Sequence, residues 1–295
     1  MADRETIEIG TRPRSMLATA LRLQPLAVVG MFILAAFIVM AILAPYLAPY
    51  DPGIPDLRAR LAPPAWLDRG VAGHLLGTDH LGRDMLSRLI YGSRIALLVG
   101  FFGVMCALVI GVTVGLVSGY VGGKLDAFMM GVVNSLLAIP NTLLYLTVLA
   151  VFGQSLFLLV LIIGCINWTT FARVVRAEVL TIKTREFIDA ARTIGQRPAV
   201  TLVRHVLPNV MGPIIVIATM NVAMLIILEA SLSFLGFGVQ PPTVTWGRML
   251  SDGRAYIATA WWLAAFPGMM ITLLTLSLIF IGDWLRDRFD PRSEP

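Results

Sequence analysis

Glu229 stands in the run LIILEASLSFLG, Leu225 to Gly236, and is the only acid in the apolar core of the chain. An ionised carboxylate inside a bilayer costs about 3 kcal/mol or more unless it is paired or hydrated. Two roles stand for it: a group facing a cavity or a partner, or a structural one, as an ion pair or a protonated carboxyl hydrogen-bonded between helices. Ser233, one helical turn on, shares its face. His74, Asp79, His80 and Asp84 carry metal-ligating atoms, but their spacing fits no standard zinc pattern and no metal is expected. No Ser-His-Asp or HExxH arrangement occurs, so a catalytic set is missing. Gly123-Lys124 has Ser118 where a phosphate cradle needs glycine, and Leu125 where it needs a hydroxyl. Uphill work by this chain therefore draws on another chain or on an ion gradient.

A second feature is polar and lies between two apolar blocks: EFIDAARTIGQRPAVTLVRHVLPN, Glu186 to Asn209. Phe187, Ala190, Ala191 and Ile194 fall at i, i+3, i+4 and i+7, which predicts a short helix with one apolar face. Gly195 follows, where a helix end favours a residue free to take positive φ. A second, basic helix is predicted from Pro198, with Val200, Val203, Val206 and Leu207 toward the membrane and Pro208 as its stop. The pattern makes either a knob that a soluble partner grips or an amphipathic loop helix lying on the membrane.

The elements that position these residues are long apolar runs. The chain is 57% hydrophobic and 14% charged, against about 25% charged in a soluble domain, and its mean hydropathy is +0.81. A helix needs about 20 apolar residues to cross a bilayer. Six runs have that character: Leu26–Ala44, Ile95–Gly119, Met130–Phe152, Leu156–Ala172, Ile214–Gly236 and Trp261–Gly282. They are too continuous for the alternating strands of an outer-membrane barrel. Leu26–Ala44 exceeds the usual signal-peptide core of about 7–15 residues, so it is read as a retained first span. The fold class is all-α integral membrane with six transmembrane helices.

With a cytoplasmic N-terminus, 15 of the 23 Lys and Arg residues lie inside and 8 outside. The bias places both termini and the Asp189 loop in the cytoplasm, because inside segments retain positive charge. The arginines are scattered over both faces, which excludes a nucleic-acid stripe. Cys106 and Cys165 fall within apolar spans and read as small apolar side chains.

Four stretches divide the chain: a polar tail over 1–25, with Met16–Leu23 weakly amphipathic; a first span, outer loop and interfacial helix over 26–94; a five-helix core over 95–282, with the cytoplasmic loop at about 183–209; and a tail over 283–295. Six prolines between Pro45 and Pro64 predict an irregular outer loop. Met85, Leu86, Leu89 and Ile90 make an apolar face opposite Asp84 and Arg88, which predicts a helix in the outer interface before the second span. Gly111, Gly115, Gly119 and Gly123 recur every four residues and let another helix approach closely. Asn134, Pro140 and Asn141 predict a kinked third span, either lining a pathway or kinked for packing.

The polar blocks between the spans carry a resemblance. Asp189-Ala190-Ala191, Gly195 and Leu207-Pro208 are similar to the loop that marks permease subunits of ABC importers, although that pattern begins with Glu. Gly77-Thr78-Asp79, Gly82-Arg83-Asp84, Ser87-Arg88 and Tyr91-Gly92 resemble the dipeptide/oligopeptide branch of that family. So do Glu229–Gly236, Gln240-Pro241-Pro242, Trp246-Gly247, Gly253-Arg254, Gly282-Asp283, Leu285-Arg286-Asp287 and Asp290-Pro291-Arg292. The resemblance implies a type I ABC importer permease in the inner membrane of a prokaryote, the second of two homologous permease subunits. Its implied partners are two ATP-binding cassette subunits, an extracytoplasmic binding protein and membrane lipid. No cofactor is expected in this chain, since ATP and Mg would sit in the partner ATPases. Phe187, Asp189, Ala190, Ala191 and Gly195 would couple to those ATPases, and Glu229, Ser233, Asn134 and Pro140 are the candidates for the pathway. The family usually has Asp where this chain has Asn134. The competing reading is a self-sufficient proton-coupled transporter using Glu229, which predicts matching broken helices in two halves.

Overall fold

The computed structural model describes residues 24–289. Nearly all of the N-terminal tail and the Asp290-Pro291-Arg292 block lie outside the described residues. Among those described, five helices are long and apolar enough to cross a membrane, and a bent pair makes up a sixth crossing if its halves count as one span. They are α1 (Pro25–Ile42), α2 (Met85–Val121), the pair α3 (Gly123–Leu137) and α4 (Asn141–Phe152), α5 (Leu156–Ile182), α7 (Leu207–Phe234) and α9 (Trp262–Phe289). Two shorter helices, α6 (Glu186–Thr193) and α8 (Trp246–Gly253), sit between spans.

The predicted helix before the second span forms the first turns of α2, which runs unbroken for 37 residues. At about 1.5 Å per residue it is far longer than a hydrocarbon core of about 30 Å. The Asp84 side chain caps its start by accepting from Ser87 N at 2.8 Å. Asp84 and Arg88 do not face solvent, being 2% and 3% exposed. Their polar face is covered by other parts of the chain rather than by solvent.

The third crossing breaks rather than kinks: α3 and α4 meet at 79°. Pro140 ends one helix and opens the next, its carbonyl accepting from Leu143 N at 3.0 Å. A second prolyl expectation also differs. The helix does not stop at Pro208, because a π turn over Leu202–Val206 joins the Pro198–Thr201 turn to α7. Pro208 lacks a donor and its ring crowds the carbonyl four residues back. The wider π turn immediately before it relieves that crowding and lets the helix continue. Of the residues predicted to face the membrane there, Val206 is fully buried, Leu207 half-buried, and Val200 and Val203 exposed.

Three of the four spaced glycines carry the most extensive helix pair, α2 against α5. A Cβ on Gly111 would stand 2.4 Å from Trp168 O, on Gly115 2.7 Å from Ala172 O, and on Gly119 2.8 Å from Val179 Cβ. Gly123 differs: nothing lies within 4 Å of its Cβ position and its φ is +61°. It serves a turn, not a contact. Buried apolar side chains then gather in three clusters, around Trp246 and Trp262, around Tyr145 and Phe171, and around Tyr120 and Ile188.

Candidate functional site

The third cluster seats α6. Its Ile188 and Ala191 are buried, while Phe187, Ala190 and Ile194 are exposed. The apolar face predicted as one stripe is therefore two. Ile188 packs with Val179, Ile182 and Val206 of the chain itself. Phe187, Ala190 and Ile194, at i, i+3 and i+7, are left outward with Ile194 82% exposed. Asp189 lies on the same outer side and holds Arg192 Nη1 at 3.3 Å.

The helix end is fixed by hydrogen bonds in the pattern of a Schellman motif. Gly195 N donates to Arg192 O at 2.9 Å and Gln196 N to Ala191 O at 3.1 Å. Gly195 has φ +74° with open space around its Cβ position. An L side chain there meets only backbone strain, about 1–2 kcal/mol. Phe187, Asp189, Ala190, Ala191 and Gly195 thus share one short surface element, with Ala191 on its anchoring side.

The candidate pathway residues do not gather. Glu229 and Ser233 are each 1% exposed, and Ser233 Oγ donates to Glu229 Oε1 at 2.6 Å. Around them the chain is tightly folded: a Cβ on Gly247 would stand 2.3 Å from Ala230 O, so the start of α8 presses on α7 beside Glu229. No Lys, Arg or His lies within 4.0 Å of Glu229 among the described residues. Asn134 and Pro140 are exposed on the broken crossing. The α3–α4 break has no counterpart in α7, where Pro208 and Pro213 stay inside the helix.

A polar cluster that spacing does not reveal closes the other end of the bundle. Asp79 Oδ1 accepts from Leu81 N at 2.8 Å and Arg83 N at 2.9 Å, and its Oδ2 from Arg83 Nε at 2.7 Å. Arg88 Nη1 approaches the same carboxylate at 3.4 Å. Asp252 of α8 lies 3.6 Å from Arg83, 3.8 Å from Arg88 and 3.2 Å from Arg248. Asp84 is engaged by His74 Nδ1 at 2.9 Å and by Ser87. Trp262 Nε1 donates to Thr78 O at 3.1 Å, and Trp246 Nε1 to Leu89 O at 2.9 Å. Asp79 is thus held by two arginines and two backbone amides, and Asp84 by His74 and Ser87; no group of three ligating side chains forms among the described residues. Arg88 and Asp252 are 164 positions apart, a pairing that only the fold reveals.

The described residues form an all-helical bundle with an exposed short helix between two spans. Residues 111–295 match the family described as binding-protein-dependent transport system inner membrane component. Residues 15–64 match the N-terminal TM domain of oligopeptide transport permease C. The chain belongs to the family of binding-protein-dependent inner membrane transport components. As a member it is a non-catalytic permease subunit of an ABC importer, passing the inner membrane several times.

Among its relatives is the di/tripeptide transport system permease protein DppC of Pseudomonas aeruginosa, 40% identical over 89% of this chain and 87% of its own length. The dipeptide transport system permease protein DppC of Escherichia coli K12 is 42% identical over 90% and 89%. A solved structure of the MetNI methionine ABC transporter in an inward-facing conformation has the same fold. It has a TM-score of 0.59 at 21% identity, covering 70% of this chain and 97% of that one.

Proposed function

We propose that this chain is one of two homologous permease subunits that carry dipeptides, oligopeptides or related small compounds inward. Two ATP-binding cassette subunits would hold ATP and Mg and grip α6, and an extracytoplasmic binding protein would deliver the substrate. Nickel chelates and glutathione-like or opine-like compounds are the related cargo. Peptide transport in the relatives' names supports the cargo class. Both termini and α6 belong on the cytoplasmic side, where 15 of the 23 basic residues then lie.

The single observation behind the coupling reading is the doubled apolar stripe of α6. Ile188 and Ala191 already anchor the helix, so Phe187, Ala190 and Ile194 are free for another surface. A short helix laid in a groove is read by side chains at this spacing. Closure of the ATPase pair on ATP would displace α6, and the displacement would pass into α5 and α7 on either side.

Purification from native membranes in mild detergent tests the assembly. Recovery of a homologous permease and nucleotide-binding subunits in stoichiometric amounts is the expected result, and a chain that purifies alone would sink the reading. Gly195→Glu tests the docking. Strain at positive φ and a new charge beside the outer stripe should weaken ATPase capture by about tenfold, equivalent to ~1.4 kcal/mol. Membrane insertion and the amount of permease should stay unchanged. Uptake that survives Gly195→Glu, yet vanishes in Glu229→Gln and on collapse of the proton gradient, would instead favour a proton-coupled transporter.

A further inference from the structure

Tyr120 lies one residue before the end of α2, 9% exposed, in the same cluster as Ile188. Two cations hold its ring. Arg192 Cζ of α6 is 5.7 Å from the ring centroid, and Lys183 Nζ, from the α5–α6 connection, is 5.8 Å from it. Lys183 Nζ also donates to the Tyr120 carbonyl oxygen. Arg192 in turn holds Asp189 at 3.3 Å. One arginine therefore serves both the exposed acid of α6 and the aromatic face of α2.

Beyond Tyr120 the chain bends between α2 and α3 through Gly122, φ +72°, and Gly123, φ +61°. Only the far end of the Lys183 side chain, at 3.7 Å from Gly122, approaches either Cβ position. These glycines are required by backbone conformation, and such a joint can change shape with little steric resistance. On its far side α3 is pinned by Asp126. That carboxylate accepts from Arg176 Nε at 2.6 Å and Nη2 at 2.7 Å, a bidentate pair to α5, and from the Ser118 hydroxyl. The start of α3 is thus tied to α5 by a two-bonded ion pair, and the end of α2 to α6 by a softer aromatic contact.

We propose that Tyr120 is a positioning residue for energy coupling. Arg192 carries a displacement of α6 to the Tyr120 ring, and Tyr120 carries it through the Gly122–Gly123 joint into α3. This rests on the reading of α6 as the ATPase-docking helix. A donor from an ATPase subunit that engages Asp189 leaves Arg192 with the ring as its remaining partner. The contact tolerates sliding, because a cation is attracted over the whole ring face. The Asp126–Arg176 pair does not slide, so α3 pivots about it as the joint changes shape.

The test uses the assembled complex in lipid nanodiscs, with Cys106→Ser and Cys165→Ser and a maleimide reporter at the exposed Ser135→Cys on α3. Labelling rates are compared without nucleotide and after trapping with ATP and vanadate. Trapping should change the rate by about fivefold, the low end of usual coupling factors. Tyr120→Phe, which keeps the ring face, should retain the change. Tyr120→Leu and Arg192→Gln should abolish it while ATPase subunits still co-purify and hydrolyse ATP. Arg192 is a surface side chain, 42% exposed, so its replacement leaves folding intact. A change that persists in both Tyr120→Leu and Arg192→Gln, or one absent without them, would overturn the proposal. Absence of ATPase subunits from the unmodified complex would instead remove the docking reading and this one together.

Discussion

Asp79→Asn should be among the most damaging single substitutions in this chain, although it changes only one atom. Asp79 is 3% exposed and accepts four hydrogen-bonding or ionic contacts, from Leu81, twice from Arg83, and from Arg88. Arg88 is equally buried, and its Nε has no partner. With Asp79 neutral, the nearest remaining anion to Arg88 is Asp252 at 3.8 Å. Removing one member of a buried ion pair costs about 3–5 kcal/mol, because the other charge is left uncompensated. The asparagine amide would also turn donors toward the arginines. The expected result is a large fall in the thermal midpoint of the purified permease and in the yield of monodisperse protein. Asp252→Asn is the comparison, since that carboxylate is 20% exposed and stands off from Arg83 and Arg88 at 3.6–3.8 Å. Its loss should cost about 1 kcal/mol or less. Equal damage from the two substitutions, measured side by side, would mean that burial around Asp79 does not set the cost.

The same cluster shows why part of this molecule was not legible from sequence. Asp84 and Arg88 at i, i+4 look like the solvated face of an interfacial helix. Their covering comes from residues far along the chain: Asp252 for Arg88, Trp246 on Leu89 O and Trp262 on Thr78 O. Periodicity reports only local neighbours, so the continuity of α2 past Arg88 was hidden. Pro208 was misread for a different reason. Its stop signal is real for an α turn, and the π turn that cancels it has no residue code of its own.

Other features were legible because one residue type answers one physical demand. Gly195 takes the positive φ that ends α6, as its place after Ile194 predicts. The six apolar runs each correspond to a helix or, for the third, to a bent pair. The α6 stripe was legible as apolar but not as two-sided. Five of the nine residues from Phe187 to Gly195 are apolar, so apolar side chains fall on both sides of so short a helix. Only burial separates the anchoring Ile188 and Ala191 from the outward Phe187, Ala190 and Ile194.

Gly111→Val is the second substitution with a large expected effect, and it acts where lipid offers no hydrophobic drive between helices. Association inside a bilayer depends on close packing, which the glycines of α2 permit. A Cβ at Gly111 would stand 2.4 Å from Trp168 O, 2.5 Å from Phe171 Cβ and 3.0 Å from Ala172 N. Two of these are backbone atoms, so a rotamer change does not relieve the clash and α5 must move away. Overpacking of this kind costs about 1–3 kcal/mol where neighbours can yield, and a branched side chain against backbone belongs at the upper end. The displacement also travels. α5 carries Arg176, whose two bonds fix Asp126 at the start of α3, and α6 follows directly from its end. Gly111→Val should therefore lower thermal stability and, in protein that survives, weaken ATPase co-purification as well. Gly131→Ala, on α3 with nothing within 4 Å of its Cβ position, supplies the control. It should be neutral or stabilising by up to about 1 kcal/mol, because alanine favours helix over glycine. If Gly111→Val matched that control in both measurements, the α2–α5 seam would not be the frame that holds α6 in place.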